Sequence, residues 1–460
     1  MSSLLNKKWL KRTILIGTIL FIAIQFIRPD LHNTPSGSRP NTPAQVTEIL
    51  QRSCYDCHST ETKLKWFDQI APAYWLVADH IKKGREALNF SNWDSLQPGE
   101  QKAKLWESFN QMMTGNMPLS SYTQIHTDAR VSSQDLQTMK DYLTTLVPHQ
   151  VADTAKINAA DRQFIAWFAQ QIINKSVQPT LNGINYPSEY AGWQAVTTTE
   201  RFDNATMRVI YGNPVAISAI KEHKTNPWPD GAIFAKIAWS QLADSAGYTR
   251  PGEFIQAEFM IKDSKKYAST DGWGWGRWRG NNLKPYGKNA AFTTECMNCH
   301  KPMQKNDFVF TIPLDLTATA GKSFDNPLER KVITTRIDKK QQTMSVLYGN
   351  EFAVEYAKHP ATVPPGSAPG TPAGHISPGS SEFSLVTWSQ REDPHWFGAK
   401  IPGAILSIET LTCTEKPDHN INTSYARYTG QELQLTVNDD STFVRKRIQE
   451  ILSFRASVKL

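Results

Sequence analysis

Cysteine is scarce in this chain of 460 residues, which contains five. Basic residues are not concentrated either: the net charge is +7, and no dense basic run occurs outside the N-terminus. That distribution excludes a nucleic-acid-binding surface. Apolar residues make up 40% of the chain and the charges are mixed, which is typical of a globular protein. The length allows roughly two to four domains, each with its own core.

A long hydrophobic run is also missing. The basic stretch "NKKWLKR" leads into "TILIGTILFIAIQFI", which is shorter than the ~20 apolar residues of an ordinary spanning helix. The basic flank nevertheless indicates export, with the N-terminus in the cytoplasm and the remainder on the periplasmic side. No small-x-small cleavage site follows, so residues 1–28 are expected to be an uncleaved inner-membrane anchor, with a cleaved signal as the alternative. The Pro- and Ser-rich residues 29–44 predict a flexible linker.

Four of the five cysteines belong to two copies of one motif, Cys-x-x-Cys-His. The copies are Cys54, Cys57 and His58, and Cys296, Cys299 and His300. Disulfides are an ordinary role for cysteine pairs in an oxidising compartment, but they do not explain a histidine after each pair. Zinc needs a closed set of four ligands, and neither motif has another Cys-x-x-Cys nearby. The motifs therefore predict two covalently bound c-type haems, each with the motif histidine as an axial iron ligand.

The second axial ligand separates an electron carrier from a reactive haem, because methionine closes the iron to outside ligands. Met117 lies in "GNMPLSSY", directly before a proline, and is predicted to bind the first haem iron. Met112 and Met113, on a predicted helix, are its competitors. Cys413 has no partner pattern and is expected to be a small buried hydrophobe.

Residues 45–147 resemble the haem-binding domain family of bacterial envelope proteins. The resemblance is carried by "CYDCHSTETK", "WFDQIAPAYWLVADHIKKGREALNFSNW" and "MPLSSYTQIHTDA". It implies a small α-helical domain with one c-type haem and says little about its task. A helical connector is expected at residues 148–189.

Alternation of period two precedes the second motif and predicts two strands. "DGAIFAKIAWSQ" places Lys236 opposite an apolar face, and "GEFIQAEFMIKDSKKYA" places Glu258 beside Phe254 and opposite a second apolar face. The pattern alone leaves a solvated strand face as an equal alternative for both charged residues. The aromatic run "DGWGWGRWRGNN" is expected to pack with tight turns, and the less favoured alternative is that Trp273, Trp275 and Trp278 line the pocket of the second haem.

Residues 190–315, within a predicted domain at 190–318, resemble the cytochrome P-460 family. The matching pieces are "ATMRVIYGNPVAI", "WPDGAIFAKIAW", "QAEFMIKDSKKYA" and "TTECMNCHKPMQKNDFVFT". The resemblance implies an antiparallel sheet, dimers, and either oxidation of hydroxylamine or binding of nitric oxide. It also implies that Lys236 cross-links to the haem edge, that Glu258 and Arg208 are the distal acid and arginine, and that His300 is the proximal ligand. A carboxylate at such a position can take up protons as a bound nitrogen compound is oxidised.

Residues 319–460 repeat this domain in order. "TMRVIYGNPVAI" returns as "TMSVLYGNEFAV", "GAIFAKIAWSQ" as "SEFSLVTWSQ", and "RPGEFIQAEF" as "IPGAILSIET". The copy lacks Cys-x-x-Cys-His, and its matches to Arg208, Lys236 and Glu258 are Ser345, Leu385 and Glu409. We expect this degenerate copy to replace the second subunit of the family's dimer, as a pseudo-dimer within one chain. Its insert "HPATVPPGSAPGTPAGHISPGSS" is expected to be a surface loop.

The sequence thus predicts a multidomain α+β protein with an N-terminal anchor, a helical c-type haem domain and two antiparallel-β domains. The predicted function is oxidation of hydroxylamine or a related small nitrogen compound by a periplasmic dihaem cytochrome. The expected partners are that compound and a soluble or membrane redox protein, without nucleic acid. The alternatives are a gas-binding cytochrome without turnover and a dihaem electron carrier, in which both irons would be six-coordinate.

Overall fold

The computed structural model describes nine stretches of the chain: residues 2–32, 38–148, 153–169, 177–244, 247–315, 324–358, 380–415, 421–436 and 440–460. Residues 359–379 of the predicted surface insert lie outside them. Contacts divide the chain into two compact units, Met1–Leu146 and Val147–Leu460.

The first unit is helical. Its helices are α1 Ser2–Ile24, α2 Ala44–Ser53, α3 Tyr55–His58, α4 Ala73–Ala87, α5 Pro98–Met113, α6 Ser120–Thr123 and α7 Ser133–Thr145. Local sequence explains where they begin. At α7, for example, the Ser132 hydroxyl accepts a hydrogen bond from the Asp135 amide at 3.1 Å, and the Asp135 carboxylate accepts one from the Ser132 amide at 2.8 Å. This capping box satisfies amides that the first helical turn leaves without partners.

The N-terminal region differs from the expectation. Among the described residues, no helix is both long enough and apolar enough to cross a membrane, so the predicted anchor is unsupported. The segment after α1 is packed on the unit: Gln25 exchanges two hydrogen bonds with the Ala71 backbone, and the Tyr74 hydroxyl donates to the Pro29 carbonyl at 2.8 Å. Leu31 is buried. Part of the predicted flexible linker, residues 29–32, is therefore a docked segment.

Among its described residues, the second unit is built on one sheet of twelve strands, flanked by five α-helices. The strands are β1 Gln194–Arg201, β2 Thr206–Gly212, β3 Ile233–Ala243, β4 Tyr248–Lys262, β5 Trp273–Arg279, β6 Lys284–Pro285, β7 Lys331–Asp338, β8 Thr343–Gly349, β9 Ser380–Glu392, β10 Ala399–Glu415, β11 Ile421–Thr429 and β12 Gln434–Leu435. The helices are α8 Thr154–Phe168, α9 Pro214–Lys221, α10 Phe292–His300, α11 Glu351–Lys358 and α12 Ser441–Leu452. The described strand pairs are antiparallel, and β1 also pairs with β10 so that the sheet closes on itself. The α+β multidomain architecture is therefore confirmed.

The order of elements occurs twice. The series β1-β2-α9-β3-β4-β5-β6 returns as β7-β8-α11-β9-β10-β11-β12. Each half caps its helix with an asparagine, Asn213 or Asn350, whose side chain accepts a hydrogen bond from an amide in the first turn. The β1–β2 pair and the β7–β8 pair each carry a bulge near the start of their first strand.

The two halves pair with each other reciprocally. Tyr248, which begins β4, lies opposite Asp338, which ends β7. Ala399, which begins β10, lies opposite Arg201, which ends β1. These are equivalent positions with the halves exchanged, and such self-complementary contacts are what a two-fold symmetric dimer makes.

The main core lies on the sheet face that the two halves share. Equivalent residues from each half, Trp239 and Trp388, are fully buried in it, and each contributes roughly 2 kcal/mol by leaving water. The alternation predicted for β3 is confirmed, because Ala235 and Ile237 lie in this core with Trp239. The prediction for Phe254 is wrong: an extra residue in β4 opposite Ala238 and Trp239 shifts Phe254 into the core.

Helix α8 lies in the predicted connector and packs on this sheet. The Gln163 side chain accepts a hydrogen bond from the Phe254 amide at 2.7 Å, and Phe164 belongs to the core. This part of the connector is therefore integral to the second unit.

Candidate haem sites

The first motif lies where α2 ends and α3 begins. Cys54 separates the two helices, and Cys57 and His58 close α3. The His58 Nδ1 atom lies 3.0 Å from the Leu88 carbonyl oxygen. Because a carbonyl only accepts hydrogen bonds, Nδ1 carries the proton and Nε2 is left as the atom that can bind iron. Burial lowers the pKa of His58, which favours the neutral imidazole that metals require.

The thiols of this motif belong to half-buried residues. Burial raises the pKa of Cys54 to about 12 and that of Cys57 to about 11. Within the described ranges, no group of three or more His, Cys, Asp or Glu side chains is arranged to hold a metal ion, and no disulfide is formed. The chemistry of the donors therefore fits thioether attachment of haem.

Helix α4 approaches the first motif closely at Gly84. A Cβ atom there would lie 2.6 Å from the Cys57 carbonyl oxygen, a distance that real Cβ contacts do not reach. Only glycine allows α4 to pack on the motif backbone at this point.

The predicted methionine ligand lies on a loop tied to this motif. Met117 lies between α5 and α6 and is 36% exposed, about the same as Met113 at 37%, whereas Met112 is buried. The Tyr122 hydroxyl in α6 donates to the Asp56 carboxylate, inside the motif, at 2.6 Å. Met117 as an iron ligand stays a prediction, because these contacts do not test it.

The second motif lies at the end of α10, and His300 repeats the geometry of His58. The His300 Nδ1 atom lies 2.7 Å from the Phe308 carbonyl oxygen, so Nε2 is again left for iron. The Trp275 ring centroid lies 4.5 Å from that of His300, and the Phe310 ring lies 5.0 Å away at 79°. Burial lowers the pKa of His300 to about 4, which keeps the imidazole neutral.

Three charged side chains form a row across neighbouring strands beside this motif. Lys236 on β3 lies opposite Glu258 on β4, and Glu258 lies opposite Arg277 on β5. The Glu258 carboxylate is 2.6 Å from Lys236 Nζ and 2.5 Å from an Arg277 nitrogen. Their side chains are 30%, 12% and 23% exposed in the order Lys236, Glu258, Arg277, so the row is largely shielded from water.

The charges of Lys236, Glu258 and Arg277 shift one another's pKa values and also that of Cys296 in the second motif. Burial by itself would raise the pKa of the Glu258 carboxyl, but the cations of Arg277, Lys236 and Arg208 outweigh it and hold that pKa well below its usual range. Burial lowers the pKa of Lys236, with Glu258 opposing and the two arginines adding to the shift. Burial raises the pKa of Cys296 to about 12, and the nearby Arg277 cation partly opposes this. Glu258 is therefore an anion beside the second motif.

Arg208 lies in the next row of the same sheet face, opposite Ala238. Burial lowers its pKa to about 10, and its Nε atom has no hydrogen-bond partner among the described residues. A buried donor without a partner is costly. An anionic group of a bound cofactor or ligand would satisfy it, so the residues of this site fit haem.

Sequence reasoning missed one residue of the site, Arg277, and gave Trp275 in the haem pocket only as the less favoured alternative. Both belong to "WGWGRWR", for which packing was the favoured expectation. Strand alternation in β5 places Trp273, Trp275 and Arg277 on one face, toward α10, and Trp278 on the other, in the main core. The sequence did contain a clue: in a strand, every second residue shares a face, so Arg277 had to lie on the same face as Trp273 and Trp275.

Comparison with known families agrees with both motifs. Residues 19–145 match the family described as haem-binding domain, and residues 187–311 match the family Cytochrome P460. Residues 187–311 are a cytochrome P460 domain. This P460 domain contains Arg208, Lys236 and Glu258 as well as the second motif, and its match ends before β7. A search of curated proteins returned no matching relative.

The half beyond the P460 domain keeps the glutamate and the strand arginine at the same register positions and replaces the lysine by leucine. Leu385 and Arg427 lie opposite Glu409, where Lys236 and Arg277 lie opposite Glu258. Helix α12 follows β12 as α10 follows β6, and its Arg447 binds the Glu409 carboxylate through two nitrogens at 2.8 and 2.6 Å. In this half, therefore, an arginine of α12 forms a two-point ion pair with the carboxylate.

Cys413 is buried in the core of the same half, beside Leu385 and Leu411, as expected for a small hydrophobe.

Proposed function

We propose that this chain is a dihaem c-type cytochrome that oxidises hydroxylamine or a related small nitrogen compound. The reaction takes place in the P460 domain, and the N-terminal haem-binding domain passes electrons to a soluble or membrane redox partner. One observation carries the proposal: the shielded row of Lys236, Glu258 and Arg277 is electrostatically coupled to Cys296 and His300. A pure electron carrier has no use for such a row. Haem, when bound, supplies the one-electron redox centre and the position at which a small nitrogen compound binds.

Glu258 is the proposed proton acceptor. It is ionised and held from both sides by cations, so its carboxylate is oriented before a substrate arrives. Oxidation of an N–H or O–H group releases protons, which a carboxylate within hydrogen-bond reach can take up. Arg277 and Lys236 restrain its basicity, since both lower its pKa.

Lys236 is the proposed site of a third covalent bond to the macrocycle. The nucleophile in such a bond would be the neutral amine, and burial lowers the pKa of Lys236 toward that form. The new N–C bond would replace an N–H bond of the amine and a C–H bond of the macrocycle, so two protons and two electrons would leave, and a peroxide, as the proposed oxidant, would accept them. Bond formation would also remove one cation from Glu258. The pKa of Glu258 would rise as a result, and the carboxylate would become a stronger base.

The second half is proposed to be a degenerate copy that stands in for the partner subunit of a dimer. The reciprocal pairings of β4 with β7 and of β10 with β1 support this. So does the absence of the haem motif from its sequence.

We propose in addition that the basic flank and apolar run within residues 1–28 export the chain to the periplasmic side of the inner membrane. Cell fractionation of the full chain and of a variant lacking residues 2–28 tests this, and equal distribution of the two would refute it.

The substitution Glu258→Gln tests the function. We expect hydroxylamine-dependent reduction of an electron acceptor to fall about 10²–10⁴-fold, the usual contribution of a positioned acid or base. Haem content and cyanide binding should be retained. Glu253→Gln, on the same strand but outside the row, is the matched control and should keep full activity. If the wild type binds hydroxylamine and never passes electrons on, the protein is a gas-binding cytochrome and the proposal fails.

Mass spectrometry of haem peptides tests the bond to Lys236. The wild-type haem peptide should contain Lys236 in addition to Cys296 and Cys299, and Lys236→Leu should leave only the two thioether links. Leucine suits this test because Leu385 occupies the equivalent position of the second half. Two links in the wild type would contradict the proposed bond.

A further inference from the structure

The loop between β9 and β10 belongs to the half without a haem motif, yet it docks on the P460 domain. The Gly398 carbonyl accepts hydrogen bonds from the amides of Phe202 and Asp203 at 3.0 and 3.3 Å. Gly398 has a φ of +107°, and a Cβ there would lie 2.9 Å from the Asp203 side chain. The Trp396 indole donates to the same carboxylate at 3.2 Å. The loop is thus held in one place by contacts that only glycine allows.

From this anchored loop, His395 reaches the segment that follows the second haem motif. Its Nδ1 atom lies 2.7 Å from the Phe310 carbonyl oxygen. A carbonyl only accepts, so His395 donates this hydrogen bond. Its own amide donates to the Asp393 carboxylate at 2.9 Å, which fixes the turn that presents the imidazole. Next to it, the Trp396 ring packs on the Phe310 ring, with centroids 6.0 Å apart.

Phe310, which accepts the hydrogen bond from His395, lies in a short segment that contacts His300. Phe308 provides the carbonyl that fixes the His300 imidazole, and Phe310 packs its ring edge-on against that imidazole. One residue separates Phe308 from Phe310. A shift of the Phe310 backbone would therefore move both the hydrogen-bond acceptor and the ring that set the orientation of His300.

We propose that His395 is a positioning residue for the iron ligand His300. It acts through Phe310, and it gives the half without haem a role in the chemistry of the other half. Outer partners of a metal-binding histidine fix its orientation and tune the metal. The inference rests on the proposed haem at His300, and it concerns a residue outside the sequence matched to the P460 family.

Three substitutions in the full, haem-loaded chain test the inference. Asparagine places its amide nitrogen near the position of Nδ1, glutamine places it near the position of Nε2, and leucine has no donor. We expect His395→Asn to keep the wild-type iron–histidine stretching frequency in the Raman spectrum of the reduced protein. His395→Gln and His395→Leu should shift that frequency and change the cyanide dissociation constant about tenfold, the lower end of the effect of outer partners.

The outcomes separate the inference from the function on which it rests. Wild-type protein without haem at Cys296 and Cys299 would end the proposed function. Haem-loaded variants that all share the wild-type stretching frequency and cyanide affinity would overturn the positioning role, even if their stability falls. Should His395→Leu fail to fold, the comparison of the asparagine and glutamine variants still decides, because both keep a polar side chain.

Discussion

Arg277 offers the sharpest test of the charged row, because its removal leaves Glu258 with Lys236 as its one remaining ion-pair partner in the row. We consider Arg277→Met, which keeps much of the side-chain bulk and loses the charge. Arg279→Met is the matched control. Arg279 lies on the same strand, is exposed and donates a hydrogen bond to the neutral side-chain amide oxygen of Gln256 at 3.1 Å.

The expected loss follows from the geometry. Breaking a fully buried ion pair costs about 3–5 kcal/mol. Arg277 is partly exposed and Lys236 still faces the carboxylate, so we expect about 2 kcal/mol, within the range for hydrogen bonds to charged groups. That is roughly a thirtyfold change in the unfolding equilibrium. In a unit the size of Val147–Leu460 it lowers Tm by roughly 3 °C.

The pKa of Glu258 determines how the free energy of unfolding changes with pH. The folded-state pKa of Glu258 lies below the unfolded value of about 4.3, so its stabilising contribution is present above that pH and is lost as the pH falls further. Arg277→Met raises the folded-state pKa, since burial is then opposed by fewer cations. The stability difference between wild type and variant should therefore be full at pH 7 and shrink below about pH 4.

Urea unfolding of the haem-free chain, in which the Lys236 ammonium is intact, followed by tryptophan fluorescence between pH 3 and pH 8, measures these differences. The acid limb of the activity profile should also move to higher pH in Arg277→Met, because the base then titrates higher. Equal stability and equal profiles of the Arg277 and Arg279 variants would refute the reasoning. They would mean that Arg277 does not control the charge of Glu258.

Three further substitutions follow from the contacts. Gly84→Ala should destabilise the first unit by about 1–3 kcal/mol in urea unfolding, because the new Cβ overlaps the Cys57 carbonyl. Asp307→Asn should cost about 3 kcal/mol, because it leaves the Lys262 ammonium, 2.8 Å away, as a buried charge without its carboxylate. Burial lowers the pKa of Lys459 to about 7, so the unfolded chain keeps a proton that the folded chain loses between about pH 7 and pH 10. The free energy of unfolding should therefore rise by about 3–4 kcal/mol over this range, and Lys459→Met should abolish the rise.

Each of these has a control in the same part of the chain. A Cβ at Gly99 meets nothing within 4 Å, so Gly99→Ala in α5 should be neutral or stabilising, and a loss equal to that of Gly84→Ala would contradict the overlap. Lys265→Met removes an exposed charge and should leave stability unchanged. Lys446→Met, on α12, should preserve the rise with pH. A rise that survives Lys459→Met would show that another group titrates.

Much of the chemistry could be predicted from short patterns. A Cys-x-x-Cys-His motif brings its own ligands, because residues three and four apart share a helix face. Strand alternation placed Ala235 and Ile237 in the core, since successive side chains point to opposite faces. The alternation gave the wrong face for Phe254, because a single extra residue in β4 reverses the faces beyond it, and no local sequence pattern predicts such a bulge.

The site itself depends on contacts between distant segments. Arg277 and Lys236 meet at Glu258 only through the pairing of three strands, and strand register is set by the whole sheet. His395 lies 85 residues from Phe310 and belongs to the other half, so no spacing rule connects them.

The sequence by itself determined the two haem motifs, the alternation of the strands beside the second motif and the repetition of the second unit. Each is a local pattern whose meaning depends on side chains a few residues apart, or on one stretch resembling another. The tertiary structure decided which charges surround Glu258, how the sheet closes between β1 and β10, and which loop supports His300. Those relations arise from long-range pairing and packing, where the free energy depends on many segments at once.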